Sequence, residues 1–114
     1  MADTRDKKRL KFTFEGVDYT LEYTPESVRK MERDGFDFTK MESHVVNIGY
    51  DLFKGAFIAN HNYVPDKQRE KIYPLLKAQN IDGKNLIECL AEMLSDEIEW
   101  IVNKPQGNVE WAMA

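Results

Sequence analysis

A chain of 114 residues, 42% hydrophobic and 32% charged, is long enough for one packed domain and short for two. Its net charge of −4 argues against a nucleic-acid partner, which requires a concentrated basic face to displace counterions, and its longest apolar run, Ala56 to Ala59, falls far below the roughly 20 residues of a membrane span. The lone Cys89 rules out an internal disulfide and any zinc centre built on several cysteines, which points to a reducing compartment.

The opening stretch, Met1 to Arg9, holds four basic residues (Arg5, Lys7, Lys8, Arg9) against two acids (Asp3, Asp6). It has no apolar core of the secretory type and is expected to be a flexible basic arm over 1–9. Leu10-Lys-Phe-Thr-Phe and Val17-Asp-Tyr-Thr-Leu-Glu-Tyr23 then alternate apolar and polar about Glu15-Gly16, the pattern of a hairpin closed by a two-residue turn. That turn sets Phe14 opposite Val17, Phe12 opposite Tyr19 and Leu10 opposite Leu21. All the apolar residues fall on one face, and Lys11, Thr13, Asp18, Thr20 and Glu22 on the other. A lone ribbon is marginal, so helices must cover the apolar face.

Thr24-Pro25-Glu26 reads as a helix start, with a hydroxyl cap, a proline where no amide is missed and an acid at the positive end of the dipole. Val28 and Met31 supply its inward stripe and Gly35 its stop. Phe36-Asp-Phe38 is a short connector. A central helix is expected from Lys40 or Ser43 to Asn60, with Val45, Val46, Gly49, Leu52, Phe53, Ala56 and Phe57 on one face and Gly49 and Gly55 at close contacts or bends. Val64-Pro65-Asp66 begins a third helix, expected to stop at about residue 73 because Pro74 breaks helical bonding, with a kinked turn to Gln79. Asp82 is the expected cap of a long last helix whose stripe is Leu86, Ile87, Leu90, Met93, Leu94, Ile98 and Ile101. Pro105-Gln-Gly107 ends it.

The expected fold is therefore α+β and mostly α, an N-terminal two-stranded hairpin packed on four to five helices. A single domain spans 10–104 and a C-terminal docking tail 105–114. Phe12, Leu21, Phe53, Phe57, Leu90 and Leu94 should form its core.

Catalytic signals are sparse. His44 and His61 stand at opposite ends of the central helix, about 25 Å apart at 1.5 Å per residue, so that helix cannot bring both to one metal. Cys89 sits in a helical stripe beside Leu90 with no nucleophile-elbow sequence around it, which favours packing over nucleophilic attack assisted by His61. His61, in Asn60-His-Asn62, suits a polar capping role at a helix end. No phosphate-binding loop, dinucleotide fingerprint or zinc-protease motif occurs, and no cofactor, metal or enzymatic activity is expected.

Charge and aromatics carry more. Glu88, Glu92, Asp96, Glu97 and Glu99 give the last helix an acidic flank beside Trp100, which reads either as a solvated face or as a docking stripe for a basic or amphipathic partner helix. Tyr50, Tyr63 and Trp100 are candidates for an exposed apolar patch that would drive self-association into dimers or rings. Val109, Trp111 and Met113 alternate in the tail, as in a strand with one apolar face. Such a strand closes on its own hairpin or adds to a partner, and the pattern alone leaves both open. Tyr50, Trp100, Val109, Trp111 and Met113 are accordingly the expected partner-binding residues.

The run Leu10 to Tyr23, the pair Val28-Arg-Lys-Met-Glu and Gly35-Phe-Asp37, the stretch Leu52-Phe-Lys-Gly-Ala-Phe57 followed by Asn60-His61, and Asn108-Val-Glu-Trp111 together resemble, in order along nearly the whole chain, the small tail assembly chaperones of long-tailed bacteriophages and prophages. The resemblance implies a non-enzymatic helper in the host bacterial cytoplasm. It would bind the long helical tape measure protein, and by extension meet the tail tube protein, keeping the tape measure soluble while the tube polymerises. It also implies the short product of a gene that makes a longer form by frameshifting. A head-tail joining or tail-completion subunit retained in the virion is the alternative from another class.

Overall fold

The computed structural model describes residues 7–40, 48–81 and 83–103. Among them the architecture is α+β and mostly α. Strands β1 (Leu10–Phe14) and β2 (Val17–Leu21) form an antiparallel hairpin, followed by α1 (Pro25–Arg33), a 3-10 turn (Phe38–Lys40), α2 (Gly49–Ala56), a single helical turn α3 (Ile58–His61), α4 (Asp66–Lys77) and α5 (Leu86–Asn103). The hairpin register is the expected one, Leu10 against Leu21, Phe12 against Tyr19 and Phe14 against Val17. Both turn residues have positive φ, Glu15 at 51° and Gly16 at 77°. Gly16 adopts this freely, whereas Glu15 carries a Cβ penalty there.

The two strands are not equally covered. Tyr19, Leu21 and Tyr23 are buried, whereas Leu10, Phe12 and Phe14 are only partly so. Phe12, expected in the core, is therefore a half-covered residue that stacks on Tyr19 at 5.1 Å. Val17 also lies largely in the open at 46% exposure. The helices sit under β2, and β1 overhangs them.

Thr24 and Ser27 cap α1 reciprocally: Thr24 Oγ1 accepts from Ser27 N–H at 3.1 Å and Ser27 Oγ from Thr24 N–H at 2.8 Å, which satisfies two donors the helix leaves unbonded. The helix stops before Gly35, as expected. Of the central helix, residues 41–47 lie outside the described residues, so its start and His44 do too; from Gly49 on it does not run unbroken to Asn60. At Phe57 the N–H bonds to Lys54 O, three residues back, at 3.2 Å, and the freed Ala56 carbonyl accepts Glu22 N–H at 3.3 Å. The interruption thus trades one helical bond for a tie to the hairpin. Gly49 and Gly55 mark the expected close approaches. A Cβ at Gly49 would lie 2.6 Å from Ile87 Cδ1, and one at Gly55 would lie 2.5 Å from Met31 Sδ.

Two expectations about the second half fail. Helix α4 continues through Pro74 to Lys77, because Pro74 falls in the last turn, where its missing N–H removes only the bond to the residue 70 carbonyl. Helix α5 begins at Leu86, with Asn85 as its cap: Asn85 Oδ1 accepts from Glu88 N–H at 2.8 Å, and Asn85 Nδ2 donates to Glu88 Oε1 at 2.8 Å. Asp82 lies outside the described residues. The core of Leu52, Phe53, Phe57, Ile72, Leu86, Leu90 and Leu94, each at most 1% exposed, sits where α2, α4 and α5 meet beneath β2.

Candidate functional site

Three surfaces stand out: the two outer edges of the hairpin and the face of α5. Thr20 on β2 directs its backbone away from β1. Its N–H donates to His61 Nε2 at 3.0 Å, and its carbonyl accepts from Asn60 Nδ2 at 3.2 Å. With Glu22 N–H on the Ala56 carbonyl, the end of α2 and the Asn60 and His61 side chains of α3 cover this edge over Thr20 and Glu22. His61 does not cap a helix end as expected; its ring instead accepts from the edge of β2, because α3 packs that end of the helix beside the hairpin. Its ring lies edge-on to Tyr19 at 5.1 Å, and its Nδ1 is buried without a hydrogen-bond partner among the described residues. Since Nε2 must present a lone pair to Thr20, the imidazole is neutral in this arrangement.

Because Lys11 pairs with Thr20, whose backbone groups face outward, the pairs Lys11–Thr20 and Thr13–Asp18 are the non-hydrogen-bonded ones of the antiparallel ladder. The N–H and C=O of Lys11 and Thr13 thus face outward from β1, and no described residue bonds to them. The β2 edge is covered over Thr20 and Glu22, and the β1 edge at Lys11 and Thr13 is bonded by no described residue.

Two acids of the α5 flank, Glu92 and Glu97, are engaged by the chain's own N-terminal arm. Lys8 and Lys84 both bind Glu92, and the hydrogen bond from Lys8, then that from Lys84, holds the Glu92 carboxyl at about 2. Lys7 Nζ donates to Tyr23 O at 2.7 Å and lies 3.4 Å from Glu22 and 3.6 Å from Glu97, the last only 3% exposed. Arg9 reaches Glu22 at 3.3 Å and Asn60 donates to it at 2.8 Å. Burial alone would raise the Glu22 carboxyl, but the Asn60 hydrogen bond and the charges of Arg9 and Lys7 outweigh it and hold it below the ordinary value. Two expectations are corrected here. The arm is pinned from Lys7 onward, and Glu22 does not lie on a solvated outer face. Both follow from buried carboxylates that require cations.

The remaining part of α5 borders an open groove of about 520 Å³ against the 3-10 turn, lined by the apolar Phe38, Ile98 and Val102 together with Thr39, Ser95, Glu99 and Asn103; Val102 is 73% exposed. Sequence reasoning did not single out Val102, although its position one turn beyond Ile98 on the same helix is visible in the spacing. Of the expected partner-binding residues, Tyr50 lies at the start of α2. It is half-buried, edge-on to Tyr73 at 5.3 Å, because Phe53 and Tyr73 draw it onto the core. Trp100 is half-buried on α5. Val109, Trp111 and Met113 lie outside the described residues. Tyr63 is exposed, at 77%. Cys89 is half-buried, with its Sγ 3.8 Å from Ile81 O. Among the described residues no group of three or more His, Cys, Asp or Glu side chains is placed to hold a metal ion, and no helix is long and apolar enough to cross a membrane.

Together these features define a small α+β domain with a hairpin covered by helices on its β2 edge over Thr20 and Glu22 and a groove on its longest helix. The chain belongs to the family described as a domain of unknown function, DUF5055, whose model matches residues 1–114. No curated protein and no solved structure matches it.

Proposed function

We propose that the protein is a non-enzymatic tail assembly chaperone of the long-tailed phage type, acting in the host bacterial cytoplasm. In this role it binds the tape measure protein as an amphipathic helix and keeps it soluble until tail tube protein encloses it. The sequence resemblance supplies the biological setting. The single structural observation that supports it is the groove of Phe38, Ile98 and Val102. Its apolar lining, with Glu99 beside it, suits a helix offering apolar anchors at three- and four-residue spacing with a basic residue beside them. A long helix waiting for its tube exposes such a stripe, and covering it prevents aggregation. Self-association into dimers or rings belongs to the same reading, since Tyr63 and Val102 leave apolar surface in the open.

The test separating this role from that of a structural subunit is the composition of purified phage particles. A chaperone is absent from them, whereas a head-tail joining or tail-completion subunit is present at fixed copy number. Detection of the protein in particles at a constant ratio to the tail tube protein refutes the reading.

A further inference from the structure

We infer that two copies of this chain meet along β1, each β1 pairing antiparallel with the partner's β1 about a two-fold axis at Phe12, so that the two hairpins form one continuous sheet. The inference does not depend on the proposed function; the strand geometry carries it. Bonding capacity comes first. In β1, Leu10, Phe12 and Phe14 bond to β2, and Lys11 and Thr13 between them turn their N–H and C=O outward. No described residue bonds to these groups, and unpaired edge groups are a template for strand pairing. On β2 the outward groups are those of Asp18 and Thr20. Thr20 is bonded by His61 and Asn60, which leaves Asp18 by itself beside the turn. Both edges thus offer free groups, but β1 offers two successive sets and β2 one. An antiparallel neighbour bonds at every second residue, so it needs successive sets to build a ladder.

The register follows from charge and backbone shape. Matching outward groups with outward groups, and the apolar face with the apolar face, leaves axes at Lys11, Phe12 or Thr13. An axis at Lys11 sets the two Lys11 side chains directly opposite each other, where like charges repel. An axis at Thr13 draws Glu15 into the ladder, and its φ of 51° is not that of a strand. An axis at Phe12 sets Lys11 opposite the partner's Thr13, and each such pair exchanges both of its N–H···O bonds. Phe12 then faces the partner's Phe12, and Leu10 the partner's Phe14.

Side chains on both faces suit this register. Leu10, Phe12 and Phe14 are only partly buried, whereas Tyr19 and Leu21 are buried. Pairing brings the two half-covered rows side by side, and each shields the other's rings. On the outer face Lys11 makes no ion pair among the described residues, while Thr13 Oγ1 donates to Asp18 Oδ1 at 2.6 Å. Across the junction Lys11 meets the partner's Thr13 and, two strand spacings or about 9.6 Å away, the partner's Asp18. A lysine and an aspartate reaching toward each other span that distance. The paired strands are five residues long, a small interface, so association in the range of about tens of micromolar is expected.

Sedimentation of the full chain between about 5 and 500 µM, with amide exchange at both ends of that range, tests the pairing. The wild type should pass from monomer to dimer. The amides of Lys11 and Thr13 should exchange about tenfold or more slowly at the high concentration, while that of Asp18 does not change. Thr13→Lys sets a cation opposite the partner's Lys11 yet beside Asp18 of its own chain, so the variant should melt near the wild-type temperature and dimerise about tenfold or more weakly. Adding Lys11→Glu to Thr13→Lys places opposite charges across the junction and should recover the dimer. A monomer at the high concentration overturns the inference, as does a dimer that Thr13→Lys leaves unchanged or that the double variant does not recover. Slowed exchange at Asp18 in place of Lys11 and Thr13 puts the contact on β2 and overturns it. Equal protection of Lys11 and Thr13 at both concentrations assigns the edge to the chain itself and overturns it too.

Discussion

Phe57 tests the core assignment most sharply, because it sits where α2 gives way to α3 and touches both layers of the fold. Its ring lies 4.9 Å from Phe53, 5.9 Å from Tyr19 and 6.2 Å from His61, with the Arg69 guanidinium 5.9 Å above it. It is 1% exposed. A buried phenyl ring removes about 150–200 Å² from water, which at about 25 cal/mol per Å² gives about 4–5 kcal/mol. Large-to-small core substitutions span about 3–5 kcal/mol, the upper end applying where the site cannot collapse. Phe57 is held from four directions, so Phe57→Ala should cost about 4 kcal/mol, a large share of the 5–15 kcal/mol usual for a domain. In urea, with a denaturant slope of about 2 kcal/mol per M, the midpoint should fall by about 2 M. Leu75→Ala on the exposed face of α4 should stay within about 0.5 kcal/mol. A Phe57→Ala midpoint within about 0.3 M of wild type, with an unchanged slope, would refute the packing argument.

Lys7→Ala removes a cation that the buried Glu22 and Glu97 share and should destabilise the protein by about 3 kcal/mol in urea, more than Lys8→Ala at the more exposed Glu92. Because Glu22 is held below its ordinary value, its contribution is fully present above about pH 4.5 and is lost as pH falls through the folded-state value. Melting temperature should therefore drop between neutral and acidic pH, and Glu22→Gln should flatten that drop while lowering stability at pH 7. Glu15→Asn should raise stability by about 0.5–1 kcal/mol, since asparagine tolerates the positive φ of the hairpin turn better. Gly49→Ala should destabilise by about 1–3 kcal/mol, because its methyl would meet Ile87 and the Tyr73 hydroxyl, as thermal denaturation will register.

Local chemistry made much of this fold legible. The hairpin register followed from alternation about Glu15-Gly16, the start of α1 from Thr24-Pro25, and the stripe of α5 from the three- and four-residue spacing of Leu86, Leu90, Met93 and Leu94. Tertiary competition produced the differences. Ala56 gives its carbonyl to Glu22 N–H, a partner 34 residues away that no local window contains, and the helix breaks there. Pro74 reads as a stop in any window, yet close to a helix end it removes a single bond. Glu22 and Lys7 looked solvated because each is charged, and their burial depends on each other and on Glu97, a pairing that only the folded chain brings together. Likewise the acidic flank of α5 was visible, whereas its occupation by the chain's own Lys7 and Lys8 was not. The groove was half legible: Ile98 and Val102 are one turn apart, but Phe38, which completes the apolar lining, comes from a connector whose position sequence spacing does not define.

The central claim is that the α5 groove shelters an amphipathic helix of the tape measure protein, and co-expression tests it most directly. The tape measure protein produced alone should collect in the insoluble fraction, and with this protein it should be soluble and co-purify at a defined ratio. Val102→Asp, which charges the groove lining and leaves the core untouched, should abolish both effects while the variant melts at the wild-type temperature. A tape measure protein that is equally insoluble with and without its partner, or rescue that survives Val102→Asp, would contradict the account.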